Sequence, residues 1–189
     1  MRKEVMFRLL TVLAMLLAAG VMPAAAADLS ILRQGGVVAL MRHATAPGTG
    51  DPFGLVIGDC STQRNLSDEG RAQARETGRR LREAGVEFSR VGTSQWCRTR
   101  ETAQLLDLGP VEDMPSLNSF FSEPKRAEQQ TRETIEAVKA MALDKPAMLV
   151  THQVNITALT GVIPRSGEIV VARPDGDDAL EVVGKIPPP

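Results

Sequence analysis

Val37-Val38-Ala39-Leu40-Met41-Arg42-His43-Ala44 sets five apolar residues in a row behind Gly35-Gly36 and closes them with an arginine and a histidine. An unbroken apolar run bounded by glycine fits a strand covered on both faces, the situation of a parallel strand inside an α/β sheet. Ala147-Met148-Leu149-Val150-Thr151-His152-Gln153 repeats the pattern near the other end of the chain. His43 and His152 are the only two histidines, and each follows directly on one of these strand candidates. In open α/β sheets ligands bind beyond the carboxyl ends of the strands. Both histidines therefore fall where a site is expected.

Between and beyond these runs, helices and strands alternate. A Gly/Pro-rich loop over 46–59 follows the first strand. Ser67 offers an N-cap, with Asp68 and Glu69 in the first turn, and the helix it opens runs to about Ala84 before Gly85 stops it. Ala74, Gly78 and Leu81 form its inner face. The pattern then predicts a short strand over 88–93, a helix over 100–108, a loop over 115–124, a helix over 127–143 and a short helix over 155–160. Residues 168–172 and 180–183 read as a terminal hairpin or adjacent strands. This order predicts a three-layer α/β/α fold with a mostly parallel central sheet.

Composition narrows the function classes. The chain has 189 residues, 43% hydrophobic and 24% charged, with a formal net charge of -1. That suits one globular domain and supplies no basic excess for nucleic acid. With five Phe, one Trp and no Tyr, stacking platforms for bases are also disfavoured. There is no HExxH and no dinucleotide or P-loop fingerprint, so neither a zinc site nor a nucleotide cofactor is indicated.

The N-terminus carries an export signature. Arg2, Lys3 and Arg8 precede 19 uncharged residues from Leu9 to Ala27, and Ala25-Ala26-Ala27 fits the small-x-small rule for cleavage after Ala27. An uncleaved anchor is the alternative, but the alanine-rich end is weakly hydrophobic for a membrane span. Residues 1–27 are expected to be a cleaved signal peptide, and 28–189 a single periplasmic or secreted domain with no membrane span. An oxidising compartment favours a bridge between Cys60 and Cys97; the alternative is two unpaired thiols, with Cys97 a small buried hydrophobe.

A third segment joins the histidines. Thr93-Ser94-Gln95-Trp96-Cys97-Arg98-Thr99-Arg100 follows a strand candidate and opens a helix. Arginines there lie where an anion meets helix-terminal N–H groups. Guanidinium forks match phosphate oxygens, and an oriented histidine is a nucleophile. Arginines and histidines converging on one sheet edge make a phosphate site in physical terms.

At these residues the chain resembles the histidine phosphatase superfamily, the phosphoglycerate-mutase-like group. The resemblance is carried by Arg42-His43-Ala44 after the first strand, by Leu66-Ser67-Asp68-Glu69-Gly70 with Ala74 and Gly78, by Ser94 to Ala103 with Arg98 as its arginine, and by Val150-Thr151-His152. It implies that His43 is the nucleophile that becomes phosphohistidine, and that Arg42, Arg98 and His152 clamp the phosphoryl oxygens, His152 in protonated form. It further implies a small phosphorylated substrate and no metal or cofactor, since pre-placed cations meet the charge on the equatorial oxygens. Arg100 reads as a surface helix residue.

Three departures stand out. Ala44 replaces the family glycine. Gln153 follows the second histidine, without the Asp of the branch containing phytases and acid phosphatases. Ser119 and Asn118 lie where a general acid is often Glu; Glu123, a few residues on, is the candidate acid, with Asp51 and Asp59 as rivals. The expected activity is hydrolysis of a phosphomonoester. Alternatives are a phosphomutase of the same family, or a phosphate-binding regulatory domain with weak turnover.

Overall fold

A computed structural model describes residues 29–176 and 179–189 of the chain. The expected signal segment 1–27 and its expected cleavage point lie outside the described residues. Six strands form one sheet: β1 (Val38–Arg42), β2 (Arg90–Thr93), β3 (Val111–Asp113), β4 (Ala147–Thr151), β5 (Ile169–Asp175) and β6 (Ala179–Ile186). Among the described residues four α-helices cover it: α1 (Asp68–Glu83), α2 (Cys97–Leu106), α3 (Ala127–Lys139) and α4 (Gln153–Thr160).

The strand order is β3-β2-β4-β1-β5-β6. β1, β2, β3 and β4 run parallel to one another, while β5 pairs antiparallel with β1 and forms an antiparallel hairpin with β6. The sheet is therefore mixed, with its parallel half carrying the site. Alternation along β1 sorts the core into two layers. Ala39 and Met41 pack with Leu81 of α1 and Ala103 and Leu106 of α2, whereas Val38 and Leu40 pack with Ile135 and Val138 of α3 and Ile156 of α4. All of these residues are buried, which is why β1 reads as a continuous apolar run. Three layers follow directly.

β1 and β4 are neighbours in register, Arg42 opposite Thr151, and the His43 N–H donates to the Thr151 carbonyl at 3.0 Å. The two histidines thus leave adjacent strands side by side. α1 begins close by: Ser67 accepts from the Gly70 N–H at 3.1 Å and donates its own N–H to the Thr45 carbonyl. The 21 residues between Thr45 and Ser67 therefore leave the end of β1 and return to it.

Two glycines of α1 are fixed by close approach. A Cβ at Gly70 would sit 2.0 Å from the Thr45 carbonyl oxygen, and one at Gly78 2.0 Å from that of Leu106. Both obstacles are backbone and cannot swing aside. Gly78→Ala ordinarily gains helix propensity; here it is expected to lower stability by about 1–3 kcal/mol through overpacking. Urea unfolding measures this, and a stabilised variant would show that α1 and α2 can separate freely.

The helix bounds differ from the sequence reading in instructive ways. α2 begins at Cys97 rather than at 100, because the Cys97 N–H finds its acceptor in the Gln63 side chain (2.9 Å), far away in sequence. α3 stops at Lys139 rather than at 143, and the Leu143 carbonyl instead accepts from the Gly36 N–H at the entrance to β1. β3, three residues long and half exposed at the sheet edge, carries too little pattern to be seen.

Candidate active site

A cleft of about 170 Å³ opens at the carboxyl edge of the parallel strands, lined by Arg42, His43, Arg64, Arg98 and His152 together with Asp51, Ser119, Phe121 and Gln153. Its volume is below the roughly 300–1,000 Å³ of pockets that engulf drug-sized ligands. It is sized for a phosphoryl group rather than a whole substrate.

The protonation pattern of both histidines can be read from their partners. His43 Nδ1 lies 2.7 Å from the Ala44 carbonyl oxygen. A carbonyl only accepts, so Nδ1 carries the proton and Nε2 keeps a free lone pair. Burial first, then the charge of Arg98, pushes His43 down to about 3, against the opposing effect of the Ala44 carbonyl; Arg42 and Arg64 lower it further. It is a neutral imidazole at any physiological pH, as a nucleophile must be.

His152 Nδ1 lies 3.3 Å from an Arg98 amino group, which only donates, and its Nε2 lies 2.9 Å from Ser94 Oγ. Nδ1 is therefore the acceptor, and Nε2–H donates to Ser94. Burial, then Arg98, His43, Arg64 and Arg42, hold His152 well below its ordinary value. This corrects the expectation of a protonated second histidine: in the free protein it is neutral, because its cationic neighbours and its burial both oppose charge. The two rings meet edge to face at 5.6 Å between centroids.

Three arginines converge on the same space. Arg42 ends β1 and donates to the Pro164 carbonyl at 2.9 Å, while its Nε is buried with no hydrogen-bond partner. Arg98, in the first turn of α2, likewise has a buried, unpartnered Nε. Arg64 donates to the Gly50 carbonyl at 2.8 Å and to that of Ala46, pinning the loop after β1. Burial and the nearby Arg98 lower both Arg42 and Arg64, yet a guanidinium remains cationic at neutral pH.

Asp51 balances part of this charge. Its carboxylate takes the fork of Arg98 through both amino groups and accepts from Trp96 Nε1 at 3.1 Å. The Arg98 and Asp51 side chains are only 3% and 9% exposed. A carboxylate thus occupies guanidinium donors that a phosphoryl group would use.

The sequence-derived residues Arg42, His43, Arg98 and His152 all meet at this cleft. Glu123 does not. Its side chain is 67% exposed and faces Arg126, because the turn 124–126 carries it away from the cleft; the assignment of Glu123 as acid is corrected. Asp59 is also exposed and caps the turn Cys60–Thr62 by accepting from the Ser61 N–H at 3.0 Å. Among the described residues Asp51 is the one carboxyl group lining the cleft. Arg100 lies outside and pairs with Asp113. Ser119 lines the cleft, whereas Asn118 is structural, bonding both the N–H and the side chain of Gln95.

Sequence reasoning missed Arg64 and undervalued Asp51. The one available signal for Arg64 was its position just before Leu66-Ser67, where α1 starts beneath the end of β1. Cys60 and Cys97 are joined in a disulfide that ties the end of the loop to the residue preceding Arg98. Among the described residues no group of three or more His, Cys, Asp or Glu is placed to hold a metal ion, and no helix is long and apolar enough to cross a membrane.

Residues 38–121 match the profile of the histidine phosphatase superfamily, branch 1. Over 52 residues, 28% of this chain, the sequence is 42% identical to the mitochondrial serine/threonine-protein phosphatase Pgam5 of Drosophila virilis and 40% identical to that of Drosophila grimshawi. The match spans only 18% of the length of those relatives. Among solved structures, the protein histidine phosphatase SixA complexed with tungstate is similar with a TM-score of 0.57 at 16% identity, covering 80% of this chain and 96% of that one. The product of a Mycobacterium tuberculosis open reading frame gives a TM-score of 0.60 at 16% identity, covering 80% and 97%. These likenesses establish a shared fold.

Proposed function

We propose, because this chain belongs to the histidine phosphatase superfamily, that it is an exported phosphatase that hydrolyses a phosphomonoester through a phosphohistidine on His43. The observation that carries this reading is the tautomer of His43: Nδ1 is spent on the Ala44 carbonyl, leaving Nε2 unprotonated in a cleft lined by three arginines. The tungstate bound in SixA is an oxyanion of phosphate-like geometry, consistent with an anion site on this fold.

In the proposed reaction the substrate phosphoryl group displaces Asp51 from Arg98. Nε2 of His43 attacks phosphorus in line, the P–O ester bond breaks, and its electron pair leaves with the alcohol oxygen. Arg42, Arg64 and Arg98 meet the charge on the equatorial oxygens. The incoming dianion offsets the arginine charges that, after burial, keep His152 neutral, so His152 then takes a proton from solvent and becomes a donor to the phosphoryl group. Proton transfer to an alkyl leaving oxygen falls to water, or to Asp51 once it has been displaced from Arg98 and has taken a proton from solvent. Water next attacks phosphorus, the P–Nε2 bond breaks with its electron pair returning to His43, and the water's proton passes to solvent as phosphate is released. No step calls for a metal ion.

p-Nitrophenyl phosphate tests the nucleophile and clamp without demanding a proton donor, since its leaving group departs as the anion. Turnover is expected to resist EDTA and to fall on the order of 10³-fold or more in His43→Ala, with an acid-labile phosphoryl label on the wild-type chain. Turnover that survives in His43→Ala, or that EDTA abolishes, would defeat the reading. Export is checked by the N-terminal sequence of the protein recovered from the cell envelope, expected to start at Asp28.

A further inference from the structure

Five large apolar side chains stand exposed among the described residues: Phe53, Val56, Ile57, Phe121 and Ile163. All five lie on loops that frame the arginine cleft. Phe53, Val56 and Ile57 belong to the loop after β1, whose Gly50 and Asp51 line the cleft. Phe121 lines it directly. Ile163 precedes Pro164, whose carbonyl holds Arg42. Topology places these loops at one edge of the sheet, beyond the ends of β1, β3 and β4 and before the start of β5.

The same loops are nearly uncharged in a chain that is 24% charged. Residues 114–122 and 153–164 contain no Asp, Glu, Lys or Arg, and residues 45–58 contain only Asp51, which is turned inward on Arg98; the exposed Asp59 and Glu123 stand at the ends of two of these stretches. Elsewhere the surface carries ion pairs, such as Glu76 with Arg79 and Arg80 on α1. A largely apolar face gathered at one sheet edge marks an interaction surface rather than scattered exposure.

Its shape indicates the partner. Phe53 is 108% exposed and Ile163 70%, so these side chains project rather than line a groove. A peptide or protein partner needs a complementary surface against which to pack. Projecting apolar tips instead suit a soft apolar phase that closes around them, as at a lipid surface.

We propose that this face is interfacial: the substrate is a phosphomonoester borne on a hydrocarbon chain, and the apolar loop tips settle into the lipid surface while the headgroup enters the arginine cleft. This rests on the phosphatase reading above and specifies its substrate class. The small cleft takes the phosphoryl group alone, and the remainder of the lipid never leaves the apolar phase.

The test compares dioleoyl phosphatidate in phosphatidylcholine vesicles with glycerol 3-phosphate in solution, using the wild-type protein and the triple variant Phe53→Ser, Ile57→Ser, Ile163→Ser. None of these three side chains lines the cleft. Wild type is expected to favour phosphatidate by at least about tenfold in kcat/KM, and the variant to lose that advantage while hydrolysing p-nitrophenyl phosphate at the wild-type rate. Equal use of both substrates, an unaffected variant, or a phosphopeptide hydrolysed in preference to phosphatidate would overturn the proposal. Absence of p-nitrophenyl phosphate turnover in wild type would instead overturn the phosphatase reading. The surface is then decided by co-sedimentation with the same vesicles, expected for wild type and lost in the variant; no binding by wild type would sink it.

Discussion

Arg98→Ala is expected to lower kcat/KM for p-nitrophenyl phosphate on the order of 10³-fold, the largest effect of any clamp substitution. Removing one transition-state donor costs about 10²–10³, and Arg98 presents two amino groups at the point where Asp51 now sits. The loss is compounded because Asp51 remains. Its carboxylate, 9% exposed, becomes a buried anion without its guanidinium, a kind of disruption that costs about 3–5 kcal/mol in stability, and it repels the phosphoryl dianion. Asp51→Asn in the Arg98→Ala background is therefore expected to restore part of the stability, a non-additivity that a double-mutant cycle measures. Asp51→Asn alone should tighten orthovanadate binding by about tenfold, since the anion no longer competes with a carboxylate for Arg98. Weaker vanadate binding in that variant would show that Asp51 supports the phosphate site rather than occupying it.

Acid is expected to unfold this protein more steeply than an ordinary domain of its size. His43 is held down to about 3 in the folded chain and His152 well below its ordinary value, while in the unfolded chain both titrate near pH 6.5. Below pH 6.5 the unfolded state therefore binds protons that the native state refuses, so stability falls as the pH falls. The slope approaches about 1.4 kcal/mol per pH unit for each histidine. For His43 the loss continues down to about pH 3 and amounts to several kcal/mol, about 4–5 at most. Urea unfolding at pH 7, 5.5 and 4.5 reads this directly. His43→Gln keeps a donor for the Ala44 carbonyl without a titrating ring and should flatten the profile. If wild type and His43→Gln lose stability in parallel between pH 6.5 and 4.5, the neutral buried imidazole is refuted.

The parts of the fold legible from sequence were those whose signal is local. β1 and β4 each open with four apolar residues in a row because both faces of each are covered. α1 carries its own cap in Ser67 and its own inner face in Ala74, Gly78 and Leu81, and its glycines are those that let α1 approach Thr45 and α2. Where partners came from elsewhere in the chain, the reading slipped. α2 starts at Cys97 because Gln63 caps it, and α3 stops early because Leu143 is engaged by Gly36.

The site divides in the same way. Arg42, His43, Arg98 and His152 were identified because each sits at the end of a strand or the start of a helix, positions that the chain itself marks. The family profile, matched over residues 38–121, takes in the first three of them. The state of the site depended on distances that no motif encodes. Arg64 enters because the loop after β1 folds back onto it through the Gly50 and Ala46 carbonyls. Asp51 rather than Glu123 faces the reacting centre because the Arg98 fork captures it. Burial among three guanidiniums makes His152 neutral where charge was expected. Sequence determined which groups are present and at which sheet edge they gather; only the tertiary structure decided which are charged, paired or free, because those properties depend on burial and on neighbours brought together across the chain.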